Sequence, residues 1–150
     1  MANPFDFTAG AVLTAAQLNS IGDTTSYTPT SSNGITTGNG TFAGTYQQVN
    51  NIVIAQASFT LGSTSAIGTF IRFSAPVTAA NANELSAGTK ASFYDVSANV
   101  FYPLWGRTYT TGETYLYSVD ASGSYAAASQ NWPVTAATSD AIYVQMAYRV

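Results

Sequence analysis

The last nine residues, Ile142-Tyr-Val-Gln-Met-Ala-Tyr-Arg-Val150, place Ile142, Val144, Met146, Tyr148 and Val150 at every second position, with no Gly or Pro among them. In an extended chain a period of two sends all five side chains to one face, whereas a helix would scatter them around its axis. The segment reads as a strand with one buried face, and its unbroken alternation predicts a central place in an antiparallel sheet. Before it stands Pro133-Val-Thr-Ala-Ala137, and the same pentapeptide recurs as Pro76 to Ala80, shortly after Phe70, Ile71 and Phe73. Proline disfavours the ladder and restricts the residue before it, so both copies mark places where strands enter or leave a sheet.

A chain of 150 residues suits one domain, which at this length buries about 70% of its unfolded surface and needs no covalent staple. Only 7% of residues are charged while 46% are hydrophobic, against roughly 25% charged in an average globular protein. Ser, Thr, Asn, Gln and Gly must supply the polar surface. Such a surface suits an assembly in which neighbours cover much of it; the alternative is an uncharged monomeric domain.

Absences exclude whole classes of chemistry. The chain has no Cys and no His, which removes disulfides, the usual zinc sites, thiol nucleophiles and an imidazole base, so neither a metal nor a cofactor is expected. Arg72, Lys90, Arg107 and Arg149 are scattered and outnumbered by seven acids, so nucleic acid is not an expected partner. No cationic stretch leads into an apolar core at the amino end, and no run approaches the roughly 18 apolar residues of a spanning helix. Membrane insertion and signal-peptide export are not expected, and assembly in a cytoplasm is.

Residues 5–22 form a distinct leading segment. Thr14 and Gln17 make a capping box, with Leu13 and Leu18 at the flanking staple positions, and Gly22 suits the left-handed stop that follows. The helix so predicted has about seven residues, short of the ~12–15 at which an isolated helix is even marginal. It must dock, either on its own domain or on a neighbour. From residue 23 the texture changes to turn formers, with a short Ser26–Thr30 strand or arm and then a loop to Gly40. Thr41–Val49 and Ile52–Leu61 read as strands joined at Asn50-Asn51, whose side chains tolerate positive φ. Gly62–Gly68 is a turn cluster, Thr69–Ala75 a strand ended by Pro76, and Asn81–Gly88 a polar connection. Lys90–Val96 and Asn99–Tyr109 form a second predicted hairpin, with Pro103 marking an edge or a bulge. Thr114–Asp120 is a further strand, and Ala121–Asn131 is small and polar. Strands of this length between regular turns predict an all-β fold, an antiparallel β-sandwich or jelly roll over residues 23–150, with residues 1–22 as a docking segment carrying the short helix. Val53, Phe59, Ile71, Phe73, Ile142, Val144 and Met146 are its expected core.

Several motifs, in order along most of the chain, carry a resemblance: Tyr27-Thr-Pro-Thr30, Gly38-Asn-Gly-Thr41, Gly44-Thr-Tyr46, Phe59-Thr-Leu-Gly-Ser-Thr64, Pro76-Val-Thr-Ala-Ala80, Ala137-Thr-Ser-Asp140, Ile142-Tyr-Val144 and Tyr148. Together they resemble a family of small virion proteins of tailed bacteriophages, of the minor-tail and tail-fibre type. The opening Phe7-Thr-Ala-Gly-Ala-Val-Leu-Thr-Ala-Ala-Gln-Leu-Asn19 is similar to the leading segment of phage tail and fibre proteins. Capsid decoration proteins and head fibres share such sandwiches. The resemblance implies a virion-surface protein assembled in the host cytoplasm, with other phage structural proteins of tail or capsid as partners. It also favours a homotrimer. A fibre needs a long shaft, and with only about 25 residues ahead of the predicted sandwich this chain can form a tip or knob. Phe5, Phe7, Leu13, Leu18 and Ile21 are then the apolar residues expected to dock on the particle.

An enzyme would need paired carboxylates or a nucleophile system. Asp95, Glu113, Asp120 and Asp140 lie in or beside predicted turns, where capping is their ordinary work, and no phosphate loop or nucleophile elbow is present. No catalytic residue is assigned and the chain is expected not to be an enzyme. Aromatic side chains gather in the second half. Tyr102, Trp105, Tyr109, Tyr115 and Tyr117, with Arg107 between two of them, are the candidates for contact with a host glycan or receptor protein, core or subunit packing being the competing explanation for each ring.

Overall fold

The computed structural model describes residues 12, 14, 15, 22–32, 34–119, 123–131 and 133–150. Residues 16–21 of the predicted leading helix, and all of its docking residues Phe5, Phe7, Leu13, Leu18 and Ile21, lie outside the described residues, so the structure gives that helix no support.

The chain is mostly antiparallel sheet. Its strands are β1 (Thr25–Tyr27), β2 (Ile35–Thr36), β3 (Thr41–Val49), β4 (Ile52–Thr60), β5 (Ala66–Ile67), β6 (Arg72–Ser74), β7 (Thr89–Asp95), β8 (Val100–Thr110), β9 (Glu113–Val119), β10 (Tyr125–Ala127) and β11 (Ala141–Arg149). Nine of them form one sheet in the order β1-β3-β4-β11-β7-β8-β9-β10, with β6 sharing the edge of β9; β2 and β5 pair separately. The alternating final segment is central as predicted, pairing with β4 from Ala141 to Arg149 and with β7 from Ala141 to Met146. Asn50 takes φ 53° at the β3–β4 turn and Asn99 φ 54° at the turn into β8, conformations that short polar side chains tolerate.

One face of the sheet is dry. Val53, Phe59, Ile71, Phe73, Ile142, Val144 and Met146 are all buried, joined by Phe93, Leu104 and Leu116. The sheet curls around them. Phe42 of β3 meets Phe73 of β6 with ring centroids 5.7 Å apart, although the two strands lie towards opposite ends of the strand order. Next to this contact the Ser74 amide donates to the Thr30 carbonyl at 2.9 Å, and the Thr30 amide donates to Ser74 Oγ at 2.9 Å. The chain just beyond β1 is thereby tied to β6.

The Asn81–Gly88 connection is corrected by the structure: residues Ala82–Gly88 are a helix, α1. Asn81 caps it, its side-chain oxygen accepting from the amides of Asn83 at 3.0 Å and Glu84 at 3.3 Å. A helix this short stands only by packing. Leu85 is fully buried, and the Thr89 hydroxyl donates to its carbonyl at 2.6 Å. A Cβ on Gly88 would lie 1.6 Å from the carbonyl oxygen of Ala147, so only glycine lets the helix end this close to β11.

Three further readings need correction. The loop before Gly40 and the Gly62–Gly68 turn cluster contribute β2 and β5 to a two-stranded ladder. The polar stretch after Ala121 contributes β10, which pairs with Val119 to Tyr117 of β9. The Thr69–Ala75 strand is only three residues long as β6. Pro103 pairs with Ser92 on the β7 side, while the ladder to β9 starts at Trp105; the irregularity of β8 lies further on, between Thr108 and Thr110. The proline therefore sits on a locally unpaired edge of β8.

The two Pro-Val-Thr-Ala-Ala copies adopt the same burial pattern, with Val77 and Val134 packed partly against the core, Thr78 and Thr135 exposed, and Ala79 and Ala136 buried. Their continuations differ, the first leading into α1 and the second towards β11. Tyr148 holds the first, its hydroxyl donating to the Val77 carbonyl at 2.8 Å; Gln130 holds the second, donating to the Ala136 carbonyl at 2.9 Å.

Candidate functional site

Because the inner face is fixed by the core, strand geometry dictates what points the other way. Along β8 the outward residues are Phe101, Pro103, Trp105 and Arg107, while Leu104 is buried. Antiparallel register places Tyr94 opposite Phe101 and Lys90 opposite Trp105 on the β7 side. On the β9 side it places Tyr117 opposite Trp105 and Tyr115 opposite Arg107. Directly opposed side chains on one face lie about 4.5–5.5 Å apart at Cβ, so these groups touch or nearly touch.

Two aromatic clusters result. At one end of the strip Tyr94 stacks on Phe101 with centroids 4.4 Å apart and planes 19° from parallel, and Tyr143 of β11 lies 6.4 Å from Phe101. At the other end Tyr115 meets Tyr117 edge-on at 6.2 Å and Phe70 at 5.3 Å. Guanidinium groups cover both tyrosines, Arg72 at 4.6 Å from the Tyr115 ring and Arg107 at 5.8 Å from the Tyr117 ring, distances at which a cation is attracted to the ring face. Arg72 is also anchored, donating to the Tyr115 hydroxyl at 2.8 Å and to Ser32 Oγ at 3.1 Å, and Ser32 donates on to Glu113 at 2.8 Å. Between the clusters Trp105 is 49% exposed, and Phe101 of the first cluster is 59% exposed.

Four of the six sequence candidates, Trp105, Arg107, Tyr115 and Tyr117, thus converge on one outer face. Tyr102 does not join them: its even position on β8 turns it inward, half-buried against the core. Tyr109 falls in the irregular stretch of β8, and its side chain lies outside the described residues. Sequence reasoning missed Tyr94, Phe101, Tyr143, Lys90, Phe70 and Arg72. For Lys90, Tyr94 and Phe101 the signal was present, because the hairpin turning at Asn99 already fixes which residues of β7 and β8 stand opposite one another.

Beside this strip, the outer surfaces of β3, β4, β11 and β7 form an open groove of about 530 Å³ lined by Thr45, Gln56, Ser58, Lys90, Tyr143 and Gln145 among others. Register makes the continuity explicit. Thr45, Gln56, Gln145, Lys90, Trp105 and Tyr117 form a single row across six strands.

Asp95 and Asp140 serve the backbone. Asp140 is buried, and its two oxygens accept from the amides of Val96 at 3.0 Å and Ala137 at 2.8 Å. Asp95 accepts from the Ala98 amide at 3.0 Å and the Ser97 hydroxyl at 2.7 Å, and these bonds, the amide first, hold its carboxyl below the ordinary aspartate value. Glu84 pairs with Arg149, whose hydrogen bonds lower its carboxyl in the same direction. Asp120 lies outside the described residues. Among the described residues no three His, Cys, Asp or Glu side chains stand together as metal ligands, and no helix is long and apolar enough to cross a membrane. Burial also pushes the phenols of Tyr27 and Tyr148 upward, that of Tyr148 to about 12.

Comparison with protein-family models, with curated proteins and with solved structures gave no match.

Proposed function

We propose that this chain is a non-enzymatic bacteriophage virion structural protein displayed on the particle surface, of the tail-fibre or minor-tail type, with an outer face that touches a host receptor or glycan. The observation that carries the reading is the exposed aromatic strip through Phe101 and Trp105 on a protein only 7% of whose residues are charged. Aromatic rings with polar tips and a few arginines are the residues that contact surfaces favour. The curl that brings β3 to β6 and ties Ser74 to Thr30 supports a sandwich or jelly-roll arrangement for the sheet; closure of this kind limits exposed strand edges.

A second apolar surface supports assembly. Val49 pairs with Ile52 and Gln47 with Ile54 at the far end of β3 and β4, where Val49, Ile52 and Ile54 are all exposed. Such a patch suits contact with another copy in a homotrimer or with a neighbouring structural protein. It favours the alternative role, a capsid decoration protein of cement or head-fibre type that strengthens the shell.

Mapping the chain on purified particles by immuno-electron microscopy, with copy number from quantitative mass spectrometry, tests both. Copies matching the tail symmetry support the tail reading, and copies matching the capsomers support decoration. A location inside the shell with the genome sinks both. Sedimentation of the purified chain tests the trimer, and a monomer at every concentration removes self-association in solution.

A further inference from the structure

We infer that the outer face of β7, β8 and β9 binds a carboxylated polysaccharide, with Trp105 and Tyr117 as the stacking platform and Lys90 and Arg107 as the carboxylate contacts. The inference rests on the host-contact reading above and names its ligand class. It starts from charge. The protein carries a net charge of −3 and only four Lys or Arg residues, yet Lys90 stands directly across from Trp105, and Arg107 stands two residues further along the same strand face. The remaining arginine outside this face, Arg149, is paired with Glu84, and Arg72 lies on the same outer surface against Tyr115. Lys90 and Arg107 are exposed, and neither has a carboxylate partner among the described residues. Glu113 on this face is engaged by Ser32 beside Arg72, and Lys90 and Arg107 stand on one face of an acidic molecule with no carboxylate paired to either among the described residues, which is complementary to an anionic ligand.

The rings narrow the class. Trp105 and Tyr117 are opposed across β8 and β9, with Arg107 over the tyrosine face, so the platform offers flat apolar surface with cations on two flanks. A uronic acid supplies both complements in one unit, a pyranose face for the ring and a carboxylate for the cation. A polyol phosphate supplies charge without a ring face. Single-stranded nucleic acid has flat bases, but its affinity comes from many phosphate contacts, and two unpaired cations are few for that. The row then continues from Lys90 through Gln145 and Gln56 to Thr45 along the groove. Amides and hydroxyls there can exchange hydrogen bonds with sugar hydroxyls, so a chain of several sugar units would lie across the strands.

The test titrates the full purified chain with oligogalacturonate and with glucuronate- and mannuronate-containing oligomers, following isotope-labelled amide shifts and calorimetry. The controls are methyl-esterified oligogalacturonate, polyglycerol phosphate and oligo-dT. Binding of at least one uronate oligomer is expected, with shifts centred on Trp105, Tyr117 and Lys90 and with affinity falling as salt rises. Neutralising either cation, Lys90→Gln or Arg107→Gln, should weaken it about tenfold or more, the worth of one charge-assisted hydrogen bond. Trp105→Ala should abolish binding while the circular dichroism spectrum stays unchanged. No binding by any uronate oligomer, equal binding of the esterified control, or preference for polyglycerol phosphate or oligo-dT overturns the inference. A chain found on the particle surface that fails this titration sinks the ligand assignment alone; a chain that binds uronate but is absent from the particle surface sinks the virion reading alone.

Discussion

Val144 and Tyr143 are neighbours on β11, and they answer to different rules. Val144 is 3% exposed between Ala57 and Ala91, whereas Tyr143 is 45% exposed between Ser58 and Ser92. On the inner face the surrounding volume decides the residue, and polar atoms are admitted only where they find partners. On the outer face the same backbone carries rings, amides and cations that the fold does not need. Stability is concentrated on the inner side of the sheet, so the outer side, where we place the proposed recognition, can be altered at little cost to the fold.

The sharpest way to break that contrast is to place a carboxylate on each face in turn. Val144→Asp buries an unpaired charge at a cost of several kcal/mol, a large share of the ~5–15 kcal/mol that stabilises a domain. It should leave the chain unfolded by circular dichroism, while Tyr143→Asp one residue away should fold. Soluble, folded Val144→Asp protein would remove the assignment of the inner face. Leu85→Ala comes next: the only large apolar side chain of α1 is fully buried, so chemical denaturation should show a loss of about 2–5 kcal/mol. Asp140→Ala deprives the Val96 and Ala137 amides of their acceptor. A loss of about 1–3 kcal/mol is expected, and hydrogen exchange at those two amides should accelerate.

Smaller effects sharpen the comparison. The Tyr148 phenol titrates near 12 in the folded protein against an ordinary 10.0, chiefly because it is buried. The folded state holds this proton more tightly than the unfolded chain, so the stabilisation is complete below the ordinary value and is lost as pH rises from there towards about 12. Tyr148→Phe should remove the bond to Val77, costing about 1 kcal/mol at neutral pH, and should flatten the alkaline fall in the denaturant midpoint. Trp105→Ala should have the least effect on stability, within about 0.5 kcal/mol, although it removes the largest exposed ring among the described residues of the outer face.

How far the fold could be read from the chain depended on whether each element carried its own signal. The β3–β4 and β7–β8 hairpins and the central β11 did, because alternation and the Asn50 and Asn99 turns are local. β2, β5 and β10 are two or three residues long, and their pairing comes from neighbours brought near by the rest of the fold. The helix α1 announced itself only through Asn81 and Leu85 amid polar residues. Its stability comes from packing on β8 and β11. The outer face was half legible. Residue type pointed to Trp105, Arg107, Tyr115 and Tyr117, but parity separates Tyr102 from them, and register alone brings in Lys90.

The central place of β11 also sets an order of events. Its partners β4 and β7 each pair with it and not with one another, and they precede it by dozens of residues in the chain. During synthesis the two halves of the sheet must wait with a gap between them until residues 141–149 emerge, and contacts this distant in sequence are slow to form. A ribosome-bound chain halted before residue 141 would therefore present two open strand edges facing one missing strand. In that interval the protein is most open to chaperones, and to a wrong strand from another copy taking the vacant place.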